Sequence, residues 1–450
     1  MSNNGGVPQT HKELHYLAND TGCIKCLTSV FEKKLAHGEN GTLLYLLHLA
    51  IREGCVDCLK CVIERGRVDK NKKDKNGRTI LHTAVDSGAT ECVNLLLKTG
   101  ANPRPRDKRR YTPLYLAAYG GDAKCMKLLL DAGAGASINI RNDKNGYSPL
   151  HIAVTRCRTE CVRLLLEAGA DPNAKNKNGN TAMHIAISCD YLHFVCPLLK
   201  AGADPNVKNN YGNSVIHVAA AGAHRASCIE QFLTIGGADL NAKNINGNTP
   251  LHEAAYSGDI IDCTKLLLEA DADPNAENRN GDTPLHVAVR NDHTNCTRLL
   301  LEAKADPNHT NKDGCTPLHA AVECGFHRCV DLLLQMGARP DEKNVHGDTP
   351  LYCSAFNNGS IQCMNILLKT KTDPNVQNNY GETPLHAAAE SGFFDGVIVL
   401  LRAGALLEAK NNTGETPLYK AACNNQYTCT KILLDAGADS NTKNVYSVPI

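Results

Sequence analysis

One four-residue phrase, Thr-Pro-Leu-His, returns along this chain and constrains its fold more than any other feature. It stands at Thr249–His252, Thr283–His286, Thr316–His319 and Thr383–His386, and weaker copies fill the intervals. Followed at its fourth position, the series runs His15, His48, His82, Tyr115, His151, His184, His217, His252, His286, His319, Tyr352, His386 and Tyr419. These 13 positions are 33 to 36 residues apart and span nearly all of the 450 residues. A period of that size means one supersecondary unit, copied, whose apolar face is buried only against its neighbours. At roughly 100–200 residues per globular domain the length alone suggests two to four domains. The repeat replaces that estimate with one stack.

Each unit reads as helix, turn, helix, loop. Thr or Ser before Pro, as at Thr112-Pro113, Ser148-Pro149, Thr349-Pro350 and Thr416-Pro417, suits an N-cap followed by a first helical residue whose N–H is not needed. The first helix is short and small-faced, as in Leu385–Ala389. The second carries Leu at helical spacing, as in Cys161-Val162-x-Leu164-Leu165-Leu166. It stops at a glycine able to take positive φ, such as Gly100, Gly169, Gly337 or Gly437. Asp-Pro-Asn and Asn-Gly pairs then mark an extended loop. Asp271, Lys304 and Lys371 occupy the helix-stop slot instead of glycine, Arg110 replaces the loop glycine seen at Gly77 and Gly146, and the longest unit has extra residues near Ala134–Ser137.

The period and the wording Thr-Pro-Leu-His-x-Ala-Ala, over roughly residues 12 to 447, resemble the ankyrin repeat. The resemblance implies an all-α ankyrin-repeat solenoid of helix-turn-helix units with finger loops, elongated and curved. We expect residues 1–10 to be a flexible N-terminus and 11–450 a single solenoid. The first unit lacks Thr-Pro and carries Lys12, Glu13, Glu32, Lys33 and Lys34, which reads as an N-terminal cap. The last repeat begins near residue 414, and Ser447-Val448-Pro449-Ile450 looks like a broken copy of the phrase in a truncated unit. Two readings of that end stay open: a piece of a longer array, or an imperfect cap.

The 21 cysteines are the most tempting chemical feature. Eleven fall in one slot at the start of the second helix: Cys26, Cys58, Cys92, Cys125, Cys161, Cys228, Cys263, Cys296, Cys329, Cys363 and Cys429. Free cysteine packs as a small hydrophobe, so the expectation is a column of core thiols. Cys55-x-x-Cys58-x-x-Cys61, preceded by Cys23-x-x-Cys26, offers four thiolates to zinc, but structural zinc sites need two turn-borne pairs, and these lie on or beside helices. The slot histidines repeat ten times. A general base is one poised group in a cleft, so repetition marks a structural device. The resemblance implies that this histidine ties one repeat to the next by hydrogen bonds. No Gly-x-Ser-x-Gly, Walker loop or His-Glu-x-x-His is present, and the chain is expected to have no cofactor and no enzymatic activity.

No run approaches 18 apolar residues and the first ten residues have no apolar core, so neither a membrane span nor a signal peptide is visible. With an odd cysteine count, this favours a reducing compartment, cytoplasm or nucleus. The net charge of +1 argues against a dedicated nucleic-acid binder, but it hides an asymmetry. Residues 60–110 hold 14 basic and 6 acidic side chains, net +8, whereas residues 281–450 hold 14 and 18, net −4. The basic end comes from two adjacent fingers, one with Arg65, Arg67, Lys72, Lys73 and Arg78, the next with Arg104, Arg106, Arg109 and Arg110. Charge complementarity would suit an acidic protein segment there.

The resemblance implies protein binding through the fingers and the exposed side of the first helices, along a concave groove. On that basis the residue after each finger glycine, or after Arg110 in its place, is a candidate, including Tyr111, Tyr147, Asp348 and Glu382, as is the fourth residue after the phrase, including Tyr119, Tyr256, Arg290 and Phe356. The expected function is a monomeric, non-enzymatic scaffold or adaptor. The alternatives are a substrate receptor of a ubiquitin ligase, whose C-terminal box is missing, and the repeat region of a larger channel, kinase or toxin.

Overall fold

A computed structural model describes residues 44, 47–48, 51–52, 54–64, 69–222, 226–235, 237–258, 261–356 and 359–441. The proposed N-terminal cap, Cys23, Cys26, Arg65, Arg67, the side chains of Cys58 and Cys61, and the last nine residues lie outside the described set. Among the described residues every regular element is helical. The chain divides into two compact units, Met1–Asn210 and Tyr211–Ile450.

In the first unit the short helices Ile80–Asp86, Pro113–Gly120, Pro149–Thr155 and Ala182–Ser188 pack each on the next, and the longer helices Thr90–Lys98, Ala123–Asp131 and Thr159–Glu167 form a second row behind them. The second unit repeats the arrangement with Val215–Ala220, Pro250–Ser257, Pro284–Arg290, Pro317–Glu323, Pro350–Ala355, Pro384–Ser391 and Pro417–Cys423 in its front row. Close approach in that row follows from alanine: Ala84, Ala117, Ala153, Ala186, Ala219, Ala255, Ala288, Ala321, Ala388 and Ala421 are fully buried. From Thr90–Lys98 to Phe394–Arg402 the second helices bury the slot residue, the one after it and the one four after it. Cys125, Met126 and Leu129 do so in the first unit, and Cys329, Val330 and Leu333 in the second. The nine described slot cysteines are all buried, so the column of core thiols is present. In two repeats other residues hold the slot. Phe194 fills it directly, and at Gly396 the Phe393 ring occupies the space a side chain would need.

The helix starts behave as their residues dictate. Thr112 and Thr349 accept the backbone N–H of Tyr115 and Tyr352 at 3.1 and 3.3 Å, and Ser148, Thr249, Thr283, Thr316 and Thr383 form reciprocal boxes with the histidine three residues on. That histidine also reaches forward. His82 Nε2 donates to the Tyr111 carbonyl at 3.1 Å, His151 to Asn180 at 3.1 Å, and in the second unit His252 to Asp282, His286 to Cys315 and His386 to Glu415, each at 3.0 Å. Two tyrosine copies bridge forward with side chains instead: the Tyr115 hydroxyl accepts from Asn142 Nδ2 at 2.9 Å, and the Tyr352 hydroxyl donates to Glu382 at 2.8 Å.

The fingers are stitched by their own ladder. Lys108 N–H donates to the Asn76 carbonyl at 2.9 Å, Lys177 to Asn145 at 3.0 Å, Arg279 to Asn246 at 2.9 Å and Asn412 to Tyr380 at 2.9 Å. Arg110, with φ 63°, stands where glycine stands elsewhere, and there the rung stretches to 3.2 Å between Asp143 and Arg109. The surplus residues of the longest unit form a 3-10 turn, Ala134–Ser137, closed by the Ser137 hydroxyl on the Ala134 carbonyl at 2.7 Å. Asp271, Lys304 and Lys371 take φ of 62°, 66° and 64° at their helix stops. Relieving one of these should help. Lys304→Gly is expected to raise stability by about 1 kcal/mol in a urea titration, and an unchanged or lower midpoint would contradict the strain argument.

Candidate functional site

The front helices and finger bases form a cleft in each unit. In the first unit an open cleft of about 580 Å³ is lined by Asn76, Arg78, Asp86, Asp107, Lys108, Arg109, Tyr111, Tyr115, Leu116 and Tyr119. The fingers that build it are tied together: Asn102 N–H donates to Asn71 Oδ1 at 2.8 Å, and Lys73 Nζ to the Arg106 carbonyl at 2.9 Å. This brings Lys72, Lys73, Arg104, Arg106, Arg109 and Arg110 out as exposed side chains on neighbouring loops. Arg110 is partly engaged by Asp143 at 3.6 Å. Arg78 lies deeper, held by Asp86 at 2.9 Å. The Asp107 carboxylate accepts the backbone N–H groups of Arg109 and Tyr111, both at 2.8 Å.

The aromatic floor of this cleft is held from behind. Tyr111 stacks on Tyr115 with centroids 4.7 Å apart and planes at 11°. Burial pushes the Tyr115 hydroxyl up to about 12, so it stays protonated. Tyr119 is 43% exposed, its hydroxyl accepts from Arg156 at 2.6 Å, and the Arg156 guanidinium lies 4.3 Å from its ring centroid. Tyr147 is outside the cleft, stacked on His151 at 5.6 Å.

In the second unit a cleft of about 710 Å³ is lined by Arg290, Cys315, Glu323, Asp348, Tyr352, Phe356, Tyr380, Glu382, Glu390 and Lys420 among others. Its two cations are already spoken for. Arg290 pairs with Asp282 at 2.6 Å, and Lys420 lies between Glu382 at 2.8 Å and Glu390 at 3.0 Å. Glu382 is held below the usual carboxylate range by Lys420 and the Tyr352 hydroxyl, which outweigh the opposing effect of burial. Asp348 takes the Asn378 amide at 2.8 Å. Phe356 is 41% exposed and lies parallel to Tyr352, 6.4 Å away. Tyr256 is 65% exposed and lines neither cleft.

The residues after the finger glycines therefore sit at the finger base rather than the tip. Their carbonyls close the loop turn, as Tyr111 does from Asp107 N–H, and at Tyr111, Asn180, Asn248, Asp282, Cys315, Asp348 and Glu415 they also receive the histidine of the preceding repeat. Asp282 and Cys315 are buried. Sequence reasoning missed Tyr115 and Tyr352 as cleft residues, although tyrosine in a histidine series was the visible signal. It also missed Tyr380, 59% exposed on the residue before its finger glycine, and Lys420, whose partners lie 30 and 38 residues away in sequence. Among the described residues no group of three or more His, Cys, Asp or Glu is set to hold a metal ion, and no helix is long and apolar enough to cross a membrane.

A family model described as ankyrin repeats (3 copies) matches residues 14–107, 100–176, 143–209, 216–311, 298–378 and 354–444. Among solved structures the chain is similar to the ankyrin repeat domain of Bcl-3, a unique member of the IkappaB protein family, at 31% identity over 50% of this chain and 100% of that one, with a TM-score of 0.45. No curated protein sequence matches. Ankyrin repeats are in general protein–protein interaction modules. With the phrase, the histidine bridges, the finger ladder and the family match across both units in agreement, this chain belongs to the ankyrin-repeat family.

Proposed function

We propose that the chain is a non-enzymatic scaffold or adaptor that holds a protein partner along its front-helix and finger face, and that the cleft of the first unit receives an acidic segment of that partner. The observation that carries this is the state of the cleft's cations. Among the described residues Lys108 and Arg109 are exposed and make no ion pair, while both acids of the cleft are engaged, Asp86 by Arg78 and Asp107 by backbone amides. Unpaired cations beside satisfied acids leave a positive field that steers and aligns a negative partner. The packing role of the slot thiols supports a reducing compartment, cytoplasm or nucleus.

A labelled hexaglutamate peptide tests this by anisotropy at low salt. Arg106→Glu with Arg109→Glu is expected to weaken binding about tenfold, roughly 1.4 kcal/mol, with an unchanged melting temperature, because neither side chain is part of the core. Equal affinity in wild type and variant sinks the acidic-segment reading.

A further inference from the structure

We infer that the segment received by the first unit's cleft carries, beside its acids, one aromatic or large aliphatic side chain that seats on the tyrosine floor. This rests on the acidic-segment reading above and adds the chemistry of the anchor. A carboxylate needs a cation at a surface; it does not need a hollow of about 580 Å³. Part of the lining of this one is apolar, from Tyr111, Tyr115, Leu116 and Tyr119. Tyr111 and Leu116 are half-buried and Tyr119 projects its ring, so a segment that offered only acids would leave those groups wet. An aromatic side chain buries on the order of 150–250 Å² and gains further from offset or edge contact with a ring.

The floor is also set before anything arrives. Tyr111 is fixed by its stack on Tyr115, Tyr115 by Asn142, and Tyr119 by the Arg156 bond and the guanidinium over its ring. Rings already held in one rotamer lose little freedom on binding, which is what separates an anchor pocket from a merely exposed tyrosine. Lys108 and Arg109 rise from the same finger as Tyr111. Cation and ring are therefore neighbours on one short loop, so the matching acid and apolar residue lie within a few positions of each other in the partner. The second unit's cleft does not offer this pairing, because its two cations are held by Asp282, Glu382 and Glu390.

Two labelled dodecapeptides, Glu-rich and identical except for a central Phe or Ser, provide the test with the full chain. The Phe peptide is expected to bind about tenfold tighter than the Ser peptide. Tyr119→Ser should erase that gap while leaving Ser-peptide binding in place, and Lys108→Glu with Arg109→Glu should weaken both peptides. Equal binding of the two peptides to wild type, with both still weakened by charge reversal, overturns the anchor and leaves the acidic reading standing. Indifference of both to charge reversal overturns the acidic reading and the anchor with it. A twelve-nucleotide oligothymidine that displaces the Phe peptide at equal concentration also overturns the inference, since it assigns the cleft to a polyanion. The peptide exchange uses wild-type protein, so the outcome does not depend on how Tyr119→Ser folds.

Discussion

Between pH 7 and pH 5 the chain is expected to lose several kcal/mol of stability, before most of its carboxylates titrate. Burial holds His82, His151 and His252 down at about 4, against an ordinary value of 6.5. Each is fully engaged as a neutral ring: Nδ1 accepts the backbone N–H of Thr79, Ser148 or Thr249 at 3.0, 3.2 and 3.1 Å, and Nε2 donates to the next repeat. Protonation would place a second hydrogen where a backbone donor already points. Because the folded value lies below the unfolded one, the contribution is complete above pH 6.5 and declines as pH falls towards 4, since the unfolded chain binds the proton and the folded chain resists it. At pH 5 each of these histidines has given up about 2 kcal/mol. Asp282 and Glu382, whose folded values are lowered, begin to contribute to the loss only in the carboxylate range below. Melting temperatures from pH 7.5 to 5 by circular dichroism should fall steadily, and less so in His151→Gln. A flat profile across that range would refute the histidine account.

Gly247→Val is expected to cost about 3 kcal/mol or more, from left-handed strain and overpacking together. Gly247 has φ 78°, and a Cβ there would lie 2.6 Å from the Arg279 backbone nitrogen. That nitrogen is the donor of a finger rung to Asn246, so it cannot retreat without breaking the ladder. Gly337, with φ 94° and nothing within 4 Å of an added Cβ, supplies the contrast: Gly337→Ala meets only the strain, about 1 kcal/mol. Urea titrations of the two variants separate the steric effect from the conformational one. Equal costs would show that the ladder gives way easily.

The fold was legible because each local signal is repeated and consistent with the others. Thr-Pro starts, alanine-faced first helices, the leucine spacing and the stop glycines all name the same unit, and even the exceptions at Asp271, Lys304, Lys371 and Arg110 adopt the φ that their slots require. The site was legible only in its materials. The charge count located a basic end, but not which cations stay unpaired, because Asp86, Asp107 and Asp143 reach Arg78, the Arg109 and Tyr111 amides, and Arg110 through geometry that spacing does not encode. The residues after the finger glycines were candidates for the binding face of the fingers. At Tyr111, Asp282 and Cys315 the carbonyl is a socket for a histidine, which fixes the residue at the base.

The buried thiols have a consequence of a different kind. Burial pushes Cys92, Cys161, Cys329 and Cys429 up to about 11 and Cys125 to about 12, so in the closed stack they are neither thiolates nor within reach of an oxidant. Cys157, Cys189, Cys324 and Cys423 lie at the surface instead. A slot thiol reacts only when its own repeat opens, and in a stack held by neighbour-to-neighbour contacts repeats open locally. The nine described column thiols thus act as reporters of local opening, one to a repeat, and oxidation is expected to be fastest where the stack is weakest.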